Sequence, residues 1–351
     1  MGVATAVIYT RPAAVTTPQL FCSSANNFLA ALVEAGMVRV SDSDFVGQSK
    51  SFVVAATADP KDTVVAPAAS NLRGRALVGY AVFRHPHKNY YIKLNLGYEG
   101  DSSYHSISVA LRMYASLTIA TSLNGTGGFG GAPIELLTKS IVLAYDNSYP
   151  NTVLIAKPLT LRISVGLNHF TCCASFDFTG YSSIASQFNN KTGFSSVAFA
   201  VIGSKLNPRY SVVFYPRTMG FNTSYPEESS MSLLSELNCQ LQRKYILDHQ
   251  GGTFSYIGAG QTVQAMSEVG LVSDINGVRV AQPYITIDGQ MLPLEMGCIH
   301  AGATEDMGIL TVDIDGNGPK QYYAPFGMGP SNFVLWDQPI ARIPIFIFPY
   351  Y

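Results

Sequence analysis

The chain has 351 residues, 22 basic and 23 acidic, so charge makes up 13% against the quarter usual for soluble domains. With 47% apolar residues and a net charge of -1, it is neither a disordered chain nor a nucleic-acid binder, which needs a positive excess to displace counterions from phosphate. Glu and Lys are too scarce for a coiled coil or long surface helices, which leaves a large ordered protein with an unusually neutral surface.

Residues 1–17 read as an extended arm, with no positive n-region ahead of their apolar stretch and hence no signal peptide. Pro18 opens a helix at its favoured first position, with Thr17 as cap. Leu20, Phe21, Phe28, Leu29, Leu32 and Val33 supply the apolar face, and Gly36 is the stop. Ala55 to Gly74 is rich in Ala, Pro, Asp and Ser and reads as a linker or draped loop.

From Arg75 to Tyr225 a two-residue period dominates. Ile92, Leu94 and Leu96 alternate with Tyr91, Lys93 and Asn95; Ile107, Val109, Leu111 and Met113 with Ser106, Ser108 and Arg112; Leu159, Leu161, Ile163 and Val165 with Thr160, Arg162 and Ser164. Further strands are predicted at 77–83, 141–145, 196–202 and 210–215. Short half-buried strands separated by Gly, Asn and Pro mean an antiparallel sandwich or barrel.

After residue 226 the period lengthens. Met231, Leu234, Leu237, Leu241 and Tyr245 predict a helix that starts at Glu227-Glu228, carries Arg243-Lys244 near its end and stops at Gly251-Gly252. A shorter helix follows at 261–269, then hairpin turns at Asn276-Gly277 and Asp288-Gly289. The chain is therefore mainly β: an arm, helix and linker over 1–74, an antiparallel β-sandwich or barrel-like body over 75–225, and an α+β part over 226–351 ending in an apolar strand or arm. Five cysteines, two of them adjacent at Cys172-Cys173, read as buried thiols rather than a disulfide framework.

Few motifs carry chemistry. Gly125-Thr-Gly127-Gly-Phe-Gly130 fits a dinucleotide fingerprint on paper, yet further glycines and Pro133 occupy the place of the required helix, so it reads as a flexible loop in a β domain. Asp313, Asp315 and Asn317 stand at the alternate spacing of a cation loop. The plainer account is a hairpin, with Leu310, Val312 and Ile314 on one face and Gly316-Asn317-Gly318 at the tip. His85-Pro-His87 sets two imidazoles close together, but two ligands do not complete a metal site. Gly-x-Ser-x-Gly, His-Glu-x-x-His and phosphate-loop patterns are missing, so the chain is read as a non-enzyme with no cofactor.

The aromatic and terminal residues say more. Trp336 and the closing run with Ile343, Ile345, Phe346, Ile347, Phe348, Tyr350 and Tyr351 either pack on their own domain or dock on a neighbouring subunit, because exposed apolar β-rich edges recruit partners. Arms at both ends, a near-neutral β-rich body and abundant Gly, Ser, Thr, Tyr and Phe resemble, in general character, the structural proteins of tailed-bacteriophage virions. That resemblance implies a tail, baseplate, connector or capsid-associated component. It would be made in the host cytoplasm, be located in the virion, and assemble with copies of itself and other virion proteins, with a host-surface glycan as a further partner and neither nucleic acid nor a membrane span. The alternative is a receptor- or glycan-binding β-sandwich module using exposed Tyr and Trp; a third reading is a polysaccharide hydrolase with two facing carboxylates.

Overall fold

The computed structural model describes residues 2–8, 27–40, 74–101, 110–123, 129–130, 133–146, 159–177, 193–215, 243–256, 264–265, 272–275, 278–300, 309–323, 334–335, 338–339 and 344–351. The chain begins with β1 (Gly2–Ile8), helix α1 (27–34), β2 (Val38–Arg39), β3 (Gly74–Arg84), β4 (Tyr91–Asp101), β5 (Ala110–Ala120), β6 (Ser122–Leu123), β7 (Phe129–Gly130) and β8 (Ile134–Asp146). The middle holds β9 (Leu159–Val165), β10 (His169–Asp177), β11 (Gly193–Gly203), β12 (Tyr210–Tyr215), β13 (Arg243–Asp248), β14 (Thr253–Tyr256) and β15 (Gln264–Ala265). The last part holds β16 (Val272–Ile275), β17 (Val278–Ala281), β18 (Pro283–Ile287), β19 (Gln290–Pro293), β20 (Gly297–His300), β21 (Ile309–Val312), β22 (Lys320–Tyr323), β23 (Val334–Leu335), β24 (Gln338–Pro339) and β25 (Pro344–Pro349). The molecule is thus mainly β, its sheets are antiparallel, and one short helix accompanies them among the described residues.

Three sheets organise the fold. A seven-stranded sheet runs β1-β9-β10-β11-β12-β13-β14, a five-stranded sheet β2-β3-β4-β5-β8, and a six-stranded sheet β16-β17-β20-β25-β22-β21. The strands predicted at 159–165 and 210–215 match β9 and β12, and those at 77–83, 141–145 and 196–202 fall inside longer strands. The seven-stranded sheet takes strands from all three predicted segments, so its hydrogen bonds run across the boundaries at 74 and 225.

Alternation along β10 shows how both faces of that sheet are covered. Phe170 and Cys172 point to a small apolar gap lined by Phe28 and Leu32 of α1, Phe83 of β3, and Ile92 and Leu94 of β4. Cys173, one residue on, joins Ala200, Ile202, Val212 and Phe214 in a core shared with Leu292, Leu294, Met296, Cys298, Tyr323 and Phe348. Two adjacent cysteines are therefore both buried, each under a different layer. Burial pushes the Cys172 thiol up to about 12.

Gly36 does end the helix. Its φ is 113°, its amide donates to Val33 O at 2.9 Å, and the Met37 amide donates to Leu32 O at 2.9 Å, which closes a Schellman cap. The proposed start at Thr17–Pro18 and the linker 55–74 lie outside the described residues, except for Gly74, which opens β3. Asp288 and Gly289, with φ of 50° and 76°, form the predicted two-residue hairpin between β18 and β19. β16 and β17 pair up to Ile275 and Val278, flanking the other predicted turn.

The helical readings of 243–250 and 264–265 are corrected. Arg243–Asp248 is a strand between β12 and β14, with Tyr245 opposite Val213 and Leu247 opposite Ser211. The run of apolar residues at three- and four-residue spacing loses to pairing with the β-branched and aromatic strand Tyr210–Tyr215, which buries Leu247 completely. Gly251-Gly252 turns a hairpin instead of stopping a helix. Gln264–Ala265 likewise pairs with β18. Among the described residues beyond 226, every regular element is a strand.

Candidate functional site

Antiparallel strands return the chain to the same end of a sheet at every second connection. Here that gathers the turns 85–90, 166–168, 204–209, 249–252, 294–296 and 313–319, together with Tyr351. They touch in sequence-distant pairs: the Gly203 amide donates to Asn168 O at 2.6 Å, the Glu295 amide to Gly203 O at 3.1 Å, and the His249 amide to Arg209 O at 2.9 Å. Lys88 Nζ donates to Pro208 O at 3.0 Å, tying the five-stranded sheet's turn to the seven-stranded sheet's.

Histidines fill one half of this end. The ring of His85 is fully buried; its Nδ1 accepts the His87 amide at 3.2 Å and its Nε2 lies 3.2 Å from His169 O. A carbonyl only accepts, so Nε2 carries the proton and Nδ1 is bare. His85 stacks on buried Tyr90 with centroids 5.0 Å apart, and His249 also packs on Tyr90, tilted, at 5.9 Å. His169 Nε2 lies 2.9 Å from Ser164 Oγ, whose own proton goes to the main-chain oxygen of Tyr351 at 3.0 Å, so His169 is the donor to Ser164. His249 Nε2 meets Ser211 Oγ at 2.8 Å. Burial pulls His85 and His169 down to about 3 and His249 down to about 4. Ser164 and Ser211 are buried as well, so these Ser–His pairs are internal struts with no route for a substrate to the hydroxyl.

Lysines, acids and tyrosines fill the other half. Tyr351 Oη donates to Glu295 Oε1 at 2.5 Å, and Lys205 Nζ lies 3.9 Å from that oxygen. Lys205 also pairs with Asp315 Oδ2, which Lys320 reaches at 3.1 Å. Lys320 sits over the Tyr351 ring, 5.4 Å from its centroid. Burial, then the Glu295 charge, hold the Tyr351 phenol well above its usual range, and burial pushes Tyr322 up to about 12. Desolvation and neighbouring Lys320 pull Lys205 down to about 8.

The residues singled out in the sequence distribute as follows. Asp313 Oδ2 accepts the Gly318 amide at 3.1 Å and Asp315 Oδ1 the Asn317 amide at 3.2 Å, so the candidate cation loop is a hairpin turn closed by its own amides and neutralised by two lysines. Among the described residues no group of three His, Cys, Asp or Glu could hold a metal. His85 and His87 are not a ligand pair, because both nitrogens of His85 are engaged by main-chain groups. Phe129–Gly130 pairs with Ser122–Leu123, which makes the end of the glycine run one arm of a hairpin.

The terminal run forms β25, with Ile345 opposite Ile299, Phe346 opposite Cys298, and Tyr322 and Tyr323 opposite Pro349 and Phe348. Ile347, Phe348 and Tyr350 are buried in their own chain, so they present no free surface to a neighbour; Tyr351 is half-buried in the polar cluster. Trp336 and Ile343 lie outside the described residues. Ser164, His169, His249 and Glu295 carried no signal in the sequence: Ser164 and His169 meet across a tight turn with no motif to mark it, and the other partners lie 38 or more positions away or are main-chain atoms. Among the described residues no helix is long and apolar enough to cross a membrane. No family model, curated protein sequence or solved structure matches this chain.

Proposed function

We propose that this chain is a structural component of a tailed-bacteriophage virion, in the tail, baseplate or connector region, and that it works by subunit–subunit assembly. The observation that carries the reading is β8. It runs for 13 residues and is bonded on one side only, to β5, among the described residues. Its sequence, Ile134 to Asp146, holds just Glu135, Lys139 and Asp146 as charges. A long outer strand with few charges is a template for a strand of another chain. Leu167 and Leu206 add support: they stand 55% and 71% exposed on neighbouring turns. A low-charge surface also suits burial against protein, where each stranded ion would cost several kcal/mol.

The glycan-binding reading needs exposed tyrosine faces; Tyr90, Tyr322 and Tyr323 are buried, and Tyr91, Tyr210, Tyr245 and Tyr284 are half-buried. Sedimentation velocity over a concentration series tests the proposal. A closed oligomer is expected, with amides of 134–146 more protected from exchange as concentration rises. A well-behaved monomer at low micromolar concentration would overturn it.

A further inference from the structure

The five-stranded sheet meets the seven-stranded sheet along a seam with two different kinds of contact. Its middle is apolar: Phe28, Leu32, Phe83, Ile92 and Leu94 against Phe170 and Cys172. Its end is made of imidazoles. His85 closes β3, and its Nε2 donates to the main chain of His169 at the start of β10; Tyr90, just ahead of β4, packs against His249 at the end of β13. A third layer, formed by β18, β19, β20, β22 and β25, packs on the opposite face of the seven-stranded sheet through a core of aliphatic, aromatic and sulfur side chains with no histidine.

We propose that this end of the seam is an acid-sensitive latch: protonation of His85, His169 and His249 frees the five-stranded sheet from the seven-stranded sheet while the opposite layer stays packed. Geometry shows why the added proton is not accommodated. On His85 it must go to Nδ1, where the His87 amide already points its own hydrogen from 3.2 Å, so two donors would face each other. On His169 it must also go to Nδ1, because Nε2 already donates to Ser164.

The cations around the three rings oppose protonation, while main-chain groups of His169, Tyr351 and Asn89 favour it on His85, His169 and His249 in turn. Lys88 faces His85 and His249, Lys205 and Lys320 face His169, and His85 feels His87, His169 and His249. Of the acids, Asp248 faces His249 but is held by both Arg209 nitrogens at 2.9 and 2.7 Å, and Glu295 accepts from Tyr351. Among the described residues these three rings bond main-chain groups and the hydroxyls of Ser164 and Ser211, not the side chain of an Asp or Glu.

The sign follows from linkage. Each buried imidazole holds its proton less tightly than the opened chain does, whose value is near 6.5. The closed form is therefore favoured above about pH 6.5 and loses that advantage as pH falls from there toward 3. With closed values of about 3, 3 and 4, lowering the pH from 7 to 5 raises the opening equilibrium by roughly 25-fold per imidazole.

Hydrogen exchange on the intact chain at about pH 7 and pH 5, corrected for intrinsic rates, tests this. Amides of β3 and β4 are expected to lose protection at the lower pH while those of β20 and β25 keep theirs. His85→Gln retains a donor without a titrating group, and should remove roughly 25-fold of the acid effect. His249→Gln does the same where the first variant fails to fold. Equal protection of β3 and β4 at both pH values would overturn the latch. So would simultaneous loss in all four strands, or variants with the wild-type pH response.

Discussion

Gly166 and His169 share a space that holds only one side chain: a Cβ on Gly166 would stand 2.2 Å from Cε1 of the His169 ring. The neighbour is a buried imidazole already bonded to Ser164, so it cannot swing aside without giving up that bond. Gly166→Ala should therefore destabilise the fold by about 1–3 kcal/mol, as overpacking does. Urea denaturation of the variant checks the figure. A change inside experimental error would mean that the ring has room to move.

Tyr351→Phe removes the hydrogen bond to Glu295 Oε1, leaves that oxygen facing Lys205 at 3.9 Å, and so leaves a buried carboxylate poorly satisfied. A loss of about 1–3 kcal/mol is expected. A double-mutant cycle with Glu295→Gln separates the bond from the packing of the ring on Tyr322 and His169. Additive losses in that cycle would show that the short contact contributes little.

Phe348→Ala distinguishes a strand that belongs to its own sheet from an arm that docks elsewhere. Phe348 is fully buried and meets Phe214 edge-on, with centroids 6.0 Å apart. Truncation should cost about 3–5 kcal/mol at every protein concentration. A cost that appeared only through weaker oligomerisation would contradict the intrachain packing of β25.

Asp248 folds the turn between β13 and β14 by accepting the amides of Gln250 and Gly251, both at 3.0 Å, while Arg209 holds its carboxyl below the usual carboxylate range. A depressed carboxyl contributes stability that is present above the ordinary value near 3.8 and lost as pH falls through the lower folded one. Asp248→Ala should speed amide exchange at Gln250 and Gly251 and flatten this part of the acid response. NMR exchange rates read both effects.

Cys172, Cys173 and Cys298 are buried, and burial raises the first two thiols above their ordinary range. Thiolate is the reactive form, so native alkylation at these positions should be slow and should rise sharply on unfolding. Peptide mapping after a short iodoacetamide pulse resolves each cysteine. Rapid native labelling of Cys172 or Cys173 would show that the layers over β10 open readily.

Much of the strand content was legible because its cause is local. Leu161, Ile163 and Val165 alternate with polar residues whichever sheet they join, and Asp288-Gly289 prefers positive φ wherever it occurs. The reading of Arg243–Asp248 failed for the opposite reason. Its spacing suited a helix, and only the neighbouring edge of β12 made the extended form better. The polar cluster was not legible either. Ser164 answers to His169 and Tyr351, and Glu295 to Tyr351 and Lys205, across up to 187 positions.

The division has one physical basis. Backbone preference and side-chain period act between residues a few positions apart, so the sequence alone establishes a low-charge, antiparallel β protein with its tight turns in place. Which strand covers which edge depends on the apolar area buried by partners far along the chain. That choice sent Ile347 and Phe348 into their own core instead of toward a neighbour, placed Cys172 and Cys173 under different layers, and brought three histidines from three separate turns onto one seam.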